Sequence, residues 1–180
     1  MRQTAYQKAC RKIETEGQKQ CFLLYSAAAL ALQRHWGKKQ EAISRLFILS
    51  RDVWKDCAKD HDSSMIQMCE AETGIEIQNG NGQSWRDVVY LNGTDPGPMT
   101  NAQWLYMRQQ QIKWIRPQIM ACLMVAMHRK YGFGYERLSR IYQQMEEIER
   151  EYRMDPKRIR EACLVETGIN VVDVVTGDDS

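Results

Sequence analysis

The sequence predicts a mainly α protein made of two tandem copies of one helical unit. Two repeated motifs support this prediction. Arg34-His35-Trp36-Gly37 returns 95 positions later as Arg129-Lys130-Tyr131-Gly132, and Glu72-Thr73-Gly74-Ile75 returns 94 positions later as Glu166-Thr167-Gly168-Ile169. The single-residue difference places a deletion in a connecting loop, so the elements on either side stay aligned.

The distribution of charge repeats with the motifs. Residues 1–40 hold eight Lys/Arg against two Asp/Glu, and residues 98–140 hold seven against one, whereas residues 41–97 and 141–180 each hold five against ten. Two arrangements fit this profile. The basic segments form a face for a polyanion, or each basic segment packs beside an acidic one and the charges pair locally.

In the first copy, residues 4–20 form a polar, basic helix candidate that Gly17 ends or bends. An apolar helix follows from Lys19 to Trp36 and ends at Gly37. Residues 39–58 carry apolar side chains at the spacing of an amphipathic helix. A short helix that starts at Asp62 or Ser63 then ends at Gly74.

The second copy has clearer helix signals. Thr100 or Asn101 begins a helix through Ile112, and Pro117 marks a kink or the first turn of the next helix. Residues 118–131 form the apolar helix that ends at Gly132, and residues 135–153 form the amphipathic one. A further helix follows, in which Asp155 is the predicted N-cap, Pro156 is the first helical residue and Gly168 ends the helix.

The segment between the copies is rich in turn residues and contains one strand candidate, Trp85–Leu91. Val171–Val175 has similar chemistry, so the sequence predicts a small two-stranded β element that joins the copies. The expected organisation is a first copy over residues 1–77, a connecting insert over 78–99 and a second copy over 100–180.

Composition favours a cytoplasmic protein. With 43% hydrophobic residues in 180, the chain can bury a core without disulfides or metals. Its six cysteines form no CxxC pair, which is typical of reduced, buried thiols. The longest apolar run, Cys21–Leu32, is shorter than the roughly 20 residues that span a bilayer, so we expect no membrane role.

Catalytic and cofactor motifs are weak, and the sequence predicts neither an enzyme, nor a cofactor, nor a metal site. Cys57 and His61 are four apart and Cys69 follows, but no fourth ligand has suitable spacing. Three histidines offer few bases for a nucleophile. Gly132-Phe133-Gly134 follows a predicted helix, whereas a phosphate-binding loop follows a strand.

The strongest binding signal is a set of cations interleaved with aromatic residues around the two glycine turns. Cations contact phosphates and exposed rings stack on bases, whereas the alternative is that the rings anchor the core. The candidate contact residues for nucleic acid or a protein partner are Arg34, Trp36, Lys38, Lys39, Arg45, Arg129, Lys130, Tyr131, Phe133, Tyr135, Arg137 and Arg140.

Residues 121–171, with Tyr131-Gly132-Phe133-Gly134 before a long amphipathic helix and Glu166-Thr167-Gly168-Ile169 at its close, resemble uncharacterised small helical proteins of Firmicutes phages and prophages. The first copy departs from the motif, because Lys38 and Lys39 stand where Phe133 and Gly134 stand in the second. The resemblance implies DNA handling, transcriptional control or antagonism of a host defence such as CRISPR.

These observations favour a phage-type, non-enzymatic accessory protein that binds DNA, RNA or a nucleic-acid-processing complex in the host cytoplasm. The alternative is a helical adaptor that forms a homodimer through an exposed apolar stripe and does not bind nucleic acid.

Overall fold

The computed structural model describes residues 4–59, 65–79, 81–87 and 98–176. Within these ranges the chain is mainly helical, as the sequence predicts, and no residue is in a strand. The α-helices are α1 (Ala5–Trp36), α2 (Gln40–Lys59), α3 (Met65–Thr73), α4 (Asn101–Tyr131), α5 (Tyr135–Glu151), α6 (Pro156–Thr167) and α7 (Val171–Thr176), and Trp85–Asp87 forms a single 3-10 turn.

The two longest helices, α1 and α4, form a parallel central pair. Arg116 of α4 donates to Gln20 of α1 at 3.3 Å, and the Trp36 ring at the end of α1 packs on Phe133 just past the end of α4. Every residue from Leu23 to Leu32 is buried, as is every residue from Ile119 to Met127. A helix that is covered all round belongs in the core, so these C-terminal halves form its centre.

The outer helices pack mainly on the central helix that is distant in sequence. Helices α5 and α6 lie against α1, whereas α2 and α3 lie against α4. The contacts of α1 with α2 and of α4 with α5 are much smaller, although these pairs are adjacent in sequence. The predicted halves are therefore interleaved.

The ends of the central helices follow the same local rules. Thr4 and Thr100 each accept a hydrogen bond from the backbone of the residue three positions later, and Gln7 and Gln103 bond back to them. These reciprocal bonds satisfy N–H groups that a helix start leaves without partners. The predicted glycine C-caps are confirmed, since Gly37 and Gly132 have φ of 60° and 63°.

The segments that follow α3 and α6 share a second pattern. The Thr73 hydroxyl donates to the Cys69 carbonyl at 2.7 Å and accepts from the Ile75 N–H at 3.2 Å. Thr167 makes the same two bonds, with Cys163 at 2.7 Å and Ile169 at 3.1 Å. Each threonine therefore turns the chain out of its helix in the same way.

Neither Gly17 nor Pro117 ends a helix, because α1 continues through Gly17 and α4 continues through Pro117. The predicted helix break at each residue is therefore wrong, while a bend at Gly17 and a kink at Pro117 stay predictions. A glycine inside a helix costs only about 1 kcal/mol, and Ile13 and Cys21 pack against the core on either side of Gly17. Proline costs about 3 kcal/mol, which burial of Trp114 and of residues 119–127 offsets.

The predicted β element is wrong in its second strand, since Val171–Thr176 forms α7. Asn170 accepts the Val172 N–H at 3.2 Å and caps the helix, while Val171 is buried. β-Branched residues favour strands only where a partner strand is present. The first candidate strand begins as the 3-10 turn at Trp85–Asp87, and its residues 88–91 lie outside the described ranges.

The remaining helix boundaries follow the sequence closely. Asp155 caps α6, accepting the Lys157 N–H at 2.9 Å, and Pro156 is the first helical residue. The predicted N-cap of α3, Asp62 or Ser63, lies outside the described ranges.

Candidate functional site

The two glycine turns meet at one end of the α1–α4 pair. The Trp36 and Phe133 ring centroids are 4.9 Å apart, and those of Tyr131 and Phe133 are 5.3 Å apart. The Trp36 indole N–H donates to Gln144 at 2.9 Å, and the Tyr131 hydroxyl donates to the Ala42 carbonyl at 2.9 Å. These three rings join the two turns into one rigid cluster.

Cations lie on this aromatic cluster. The Lys38 ammonium is 4.5 Å from the Tyr131 ring centroid, the Lys130 ammonium is 6.0 Å from the same ring, and the Arg137 guanidinium is 5.8 Å from the Phe133 ring. A cation within about 6 Å of a ring face is attracted by the ring quadrupole. The rings thus hold three positive groups near one another.

Three further candidate residues are exposed at the same end. Lys39, Tyr135 and Arg140 point to solvent, and the Tyr135 side chain is 59% exposed. Arg45 is also exposed, one turn after Glu41 on α2, and its guanidinium forms an ion pair with that carboxylate. We call the residues that the turns bring together the joint turn surface: Trp36, Lys38, Lys39, Lys130, Tyr131, Phe133, Tyr135, Arg137 and Arg140.

The aromatic members differ in what they can contact. Phe133 is 4% exposed and Trp36 and Tyr131 are half-buried, so these rings mainly build the cluster. Burial also raises the pKa of the Tyr131 hydroxyl. Tyr135 is the most exposed ring on this surface.

Arg34 and Arg129 lie at the surface and form ion pairs within the chain. Arg34 donates to both Glu166 oxygens, at 2.8 and 2.5 Å, and also to Glu151 at 2.9 Å. Arg129 donates to both Glu72 oxygens, at 3.0 and 2.5 Å. Bidentate pairs of this kind hold the guanidinium in one geometry, so both arginines link the interleaved halves.

These pairs affect ionisation. Hydrogen bonds from Arg34 hold the pKa of the Glu166 carboxyl below its usual range, and they outweigh the opposite effect of burial. The sequence contained all four residues within its repeated motifs, but repetition alone does not state that each arginine pairs with the glutamate of the other half.

The charge balance of the joint turn surface is positive. Its five cations come from both halves of the chain, namely Lys38, Lys39, Lys130, Arg137 and Arg140, while the exposed carboxylates beside them are Glu41 and Glu136. Helices α2 and α5 also begin here, and a helix start carries a partial positive charge. The surface can therefore attract an anion with several negative groups.

No protein-family model, curated protein or solved structure matches this chain. Across the described ranges, no helix carries an apolar stretch long enough to cross a membrane.

Proposed function

We propose that this chain is a phage-type, non-enzymatic accessory protein that binds nucleic acid, alone or within a nucleic-acid-processing complex. Its organisation, in this proposal, is two copies of one helical unit. The matching glycine caps, the matching threonine turns after α3 and α6, and the exchanged Arg34–Glu166 and Arg129–Glu72 pairs support two copies.

The observation that carries the binding proposal is the contact between the two glycine turns. The 4.9 Å packing of Trp36 on Phe133 brings cations from sequence positions about 95 apart onto one surface. Polyanion affinity grows with the number of phosphates that a protein neutralises together. A joined surface is therefore a better phosphate binder than either turn alone.

The chemistry of the surface suits a flexible single strand. Lys39 and Arg140 are exposed to contact phosphates, and Tyr135 offers a ring on which a base can stack. We therefore expect single-stranded DNA or RNA to bind more tightly than a duplex, because only unpaired bases can reach Tyr135.

The test is a binding titration with labelled single- and double-stranded DNA and single-stranded RNA over a salt series. For a duplex, each lost phosphate contact makes the slope of log affinity against log salt shallower by about 0.9. The double variant Lys39→Glu/Arg140→Glu removes one exposed cation from each turn, so its slope should be about two units shallower on a duplex.

Lys12→Glu/Lys113→Glu is the matched control, because it makes the same charge change on exposed positions of the N-terminal halves of α1 and α4. Unchanged binding in this control, with weaker binding in the first variant, supports the proposal. The proposal is overturned if the wild-type chain binds no nucleic acid at low salt. Equal losses in both variants would overturn the joint turn surface as the site.

A second candidate, the homo-oligomeric adaptor, is favoured by one observation. The N-terminal halves of α1 and α4 expose large rings, with Tyr6 at 49%, Trp104 at 43% and Tyr106 at 63%. Exposed apolar surface of this kind can pair with a second copy. Mass measurement over a wide concentration range tests this candidate, which a constant monomer mass would exclude.

A further inference from the structure

An apolar groove lies among α1, α2, α4 and α7, away from the joint turn surface. Its volume is about 640 Å³, which falls within the range of roughly 300–1,000 Å³ that small-molecule sites occupy. Its apolar wall includes Ile13, Cys21, Ile115, Ile119, Cys122 and Val175.

The two cysteines of the groove add to its apolar wall. Burial raises the pKa of the Cys21 thiol to about 11 and also raises the pKa of Cys122. At neutral pH both side chains are therefore uncharged thiols, which behave as small hydrophobic groups. The Tyr25 hydroxyl is hydrogen-bonded to Ser50 at 3.0 Å, and the Tyr25 ring forms part of the apolar wall.

The corresponding place on the other side of the central pair is filled. Arg116 and Glu149 stand 95 positions after Cys21 and Trp54, and the Arg116 guanidinium donates to both Glu149 oxygens at 2.8 and 2.6 Å. Glu149 is only 1% exposed. The Arg116–Glu149 pair thus fills the space on one side of the α1–α4 pair. On the other side, where Cys21 and the 45% exposed Trp54 stand at the equivalent positions, the groove stays open.

Charge is confined to one part of the groove. Arg51 and Lys55 are one helical turn apart on α2 and are the charged side chains among the described lining residues, which include no carboxylate. The Arg51 guanidinium also lies 3.5 Å from the Val174 carbonyl of α7, which holds it beside the apolar wall. The groove therefore combines an apolar wall with two adjacent cations.

We propose that this groove binds a small amphipathic anion, a molecule with one alkyl chain and a terminal carboxylate. The chain lies along Ile115, Ile119 and Val175, and the carboxylate lies by Arg51 and Lys55. An apolar chain gains affinity by leaving water, and the cations orient the molecule by its charged end. This inference does not depend on nucleic-acid binding.

The experiment is a calorimetric titration of the full chain with dodecanoate, kept below the concentration at which micelles form. Dodecyltrimethylammonium and dodecanol have the same chain length but a cationic and a neutral head. We expect one dodecanoate to bind per chain, with a Kd about tenfold lower than that of either analogue.

Gly17 permits a blocking variant that does not depend on disrupting the core. It lines the groove, and a Cβ added there meets no atom within 4 Å. Gly17→Leu should abolish dodecanoate binding by filling the groove, while its higher helix propensity favours folding. Gly17→Ala gives a similar gain in propensity with little added volume, so it should retain binding.

Lys55→Glu tests the charged end and should weaken dodecanoate binding about fivefold, because a surface attraction is replaced by repulsion. Lys39→Glu is its control, since Lys39 immediately precedes α2 and lies about 24 Å from Lys55 at 1.5 Å per helical residue. Trp54→Phe should preserve the heat of binding but remove most of the ligand-induced change in tryptophan emission.

Two results would overturn this inference. If Gly17→Leu binds dodecanoate as the wild type does, the ligand lies elsewhere. If the cationic and neutral analogues bind as tightly as dodecanoate, Arg51 and Lys55 do not select an anion. Neither result bears on the DNA titration, because Gly17, Arg51 and Lys55 line the groove and none of them belongs to the joint turn surface.

Discussion

The Arg34 guanidinium of α1 and the Glu166 carboxylate of α6 form a bidentate ion pair across 132 positions of sequence, at 2.8 and 2.5 Å. Arg129 of α4 and Glu72 of α3 form the equivalent pair in the opposite direction. Each half of the chain therefore supplies the cation for one pair and the anion for the other.

Loss of the Arg34–Glu166 pair should destabilise the fold. The two side chains are 27% and 35% exposed, so solvent screens them in part, and we expect Arg34→Ala to lower the free energy of unfolding by about 1–2 kcal/mol. Urea unfolding of Arg34→Ala, Glu166→Ala and the double variant gives the coupling energy. Arg45→Ala is the control, because its pair with Glu41 is 67% and 78% exposed and should contribute less than about 0.5 kcal/mol. A coupling energy near zero would contradict this prediction.

The same pair predicts a dependence of stability on pH. Hydrogen bonds from Arg34 lower the pKa of Glu166 below its ordinary 4.5. A carboxyl with a lower pKa in the folded state stabilises the fold above its unfolded pKa, and this contribution is lost as pH falls through the folded value. The difference in unfolding free energy between wild type and Glu166→Gln should therefore be constant above about pH 5.5 and shrink below about pH 4.5. Urea unfolding at pH 7, 5.5, 4 and 3 measures it, and a difference that stays constant to pH 3 would refute the prediction.

The buried Arg116–Glu149 pair should matter more than any exposed pair. Glu149 is 1% exposed, whereas Arg116 is 27% exposed and also donates to Gln20. Glu149→Ala removes both hydrogen bonds of the pair and leaves the Arg116 charge only partly screened, so it should cost about 2–3 kcal/mol. Thermal and urea unfolding measure this loss. Glu146→Ala, on the same helix and 36% exposed, is the control and should change stability by less than about 0.5 kcal/mol. Similar effects from both variants would mean that the buried pair has no special role.

Gly132 should be sensitive to substitution because its φ of 63° lies in the left-handed region. Gly132→Ala should lower the free energy of unfolding by about 1 kcal/mol, since a Cβ is disfavoured in that conformation. Gly17→Ala, in the interior of α1, should instead raise stability by roughly 0.5–1 kcal/mol. Opposite shifts in melting temperature for the two variants would agree with the backbone geometry, and shifts of the same sign would not.

Local signals in the sequence predicted the helices well. Glycines 37, 132 and 168 ended their helices, and Asp155 began one, because caps are decided by groups within a few residues. The predicted helix breaks at Gly17 and Pro117 and the predicted strand at Val171–Val175 were wrong for a different reason. In each case burial against distant residues decided the conformation, and a local pattern contains no information about those neighbours.

For the candidate contact residues too, the sequence indicated local position but not distant partners. The sequence indicated that Trp36, Lys38, Tyr131 and Phe133 belong near the turns, and their contacts join them there. It did not indicate that Arg34 and Arg129 bind carboxylates of the opposite half, since charge counts identify segments but not partners. The groove residues gave no motif at all, because Cys21, Lys55 and Val175 lie on three helices whose packing only the tertiary structure defines.

The interleaving of the helices also governs when the chain can fold during its synthesis. Gln33 hydrogen-bonds to the Glu166 carbonyl, 133 positions later, and the buried half of α1 is covered by α5 and α6. At translation rates of about 5–20 residues per second, α5 and α6 are synthesised on the order of ten seconds after the apolar half of α1. Nascent chains therefore spend that interval with an uncovered apolar helix, and we expect the yield of native protein to depend on chaperones that hold the first half until the second emerges.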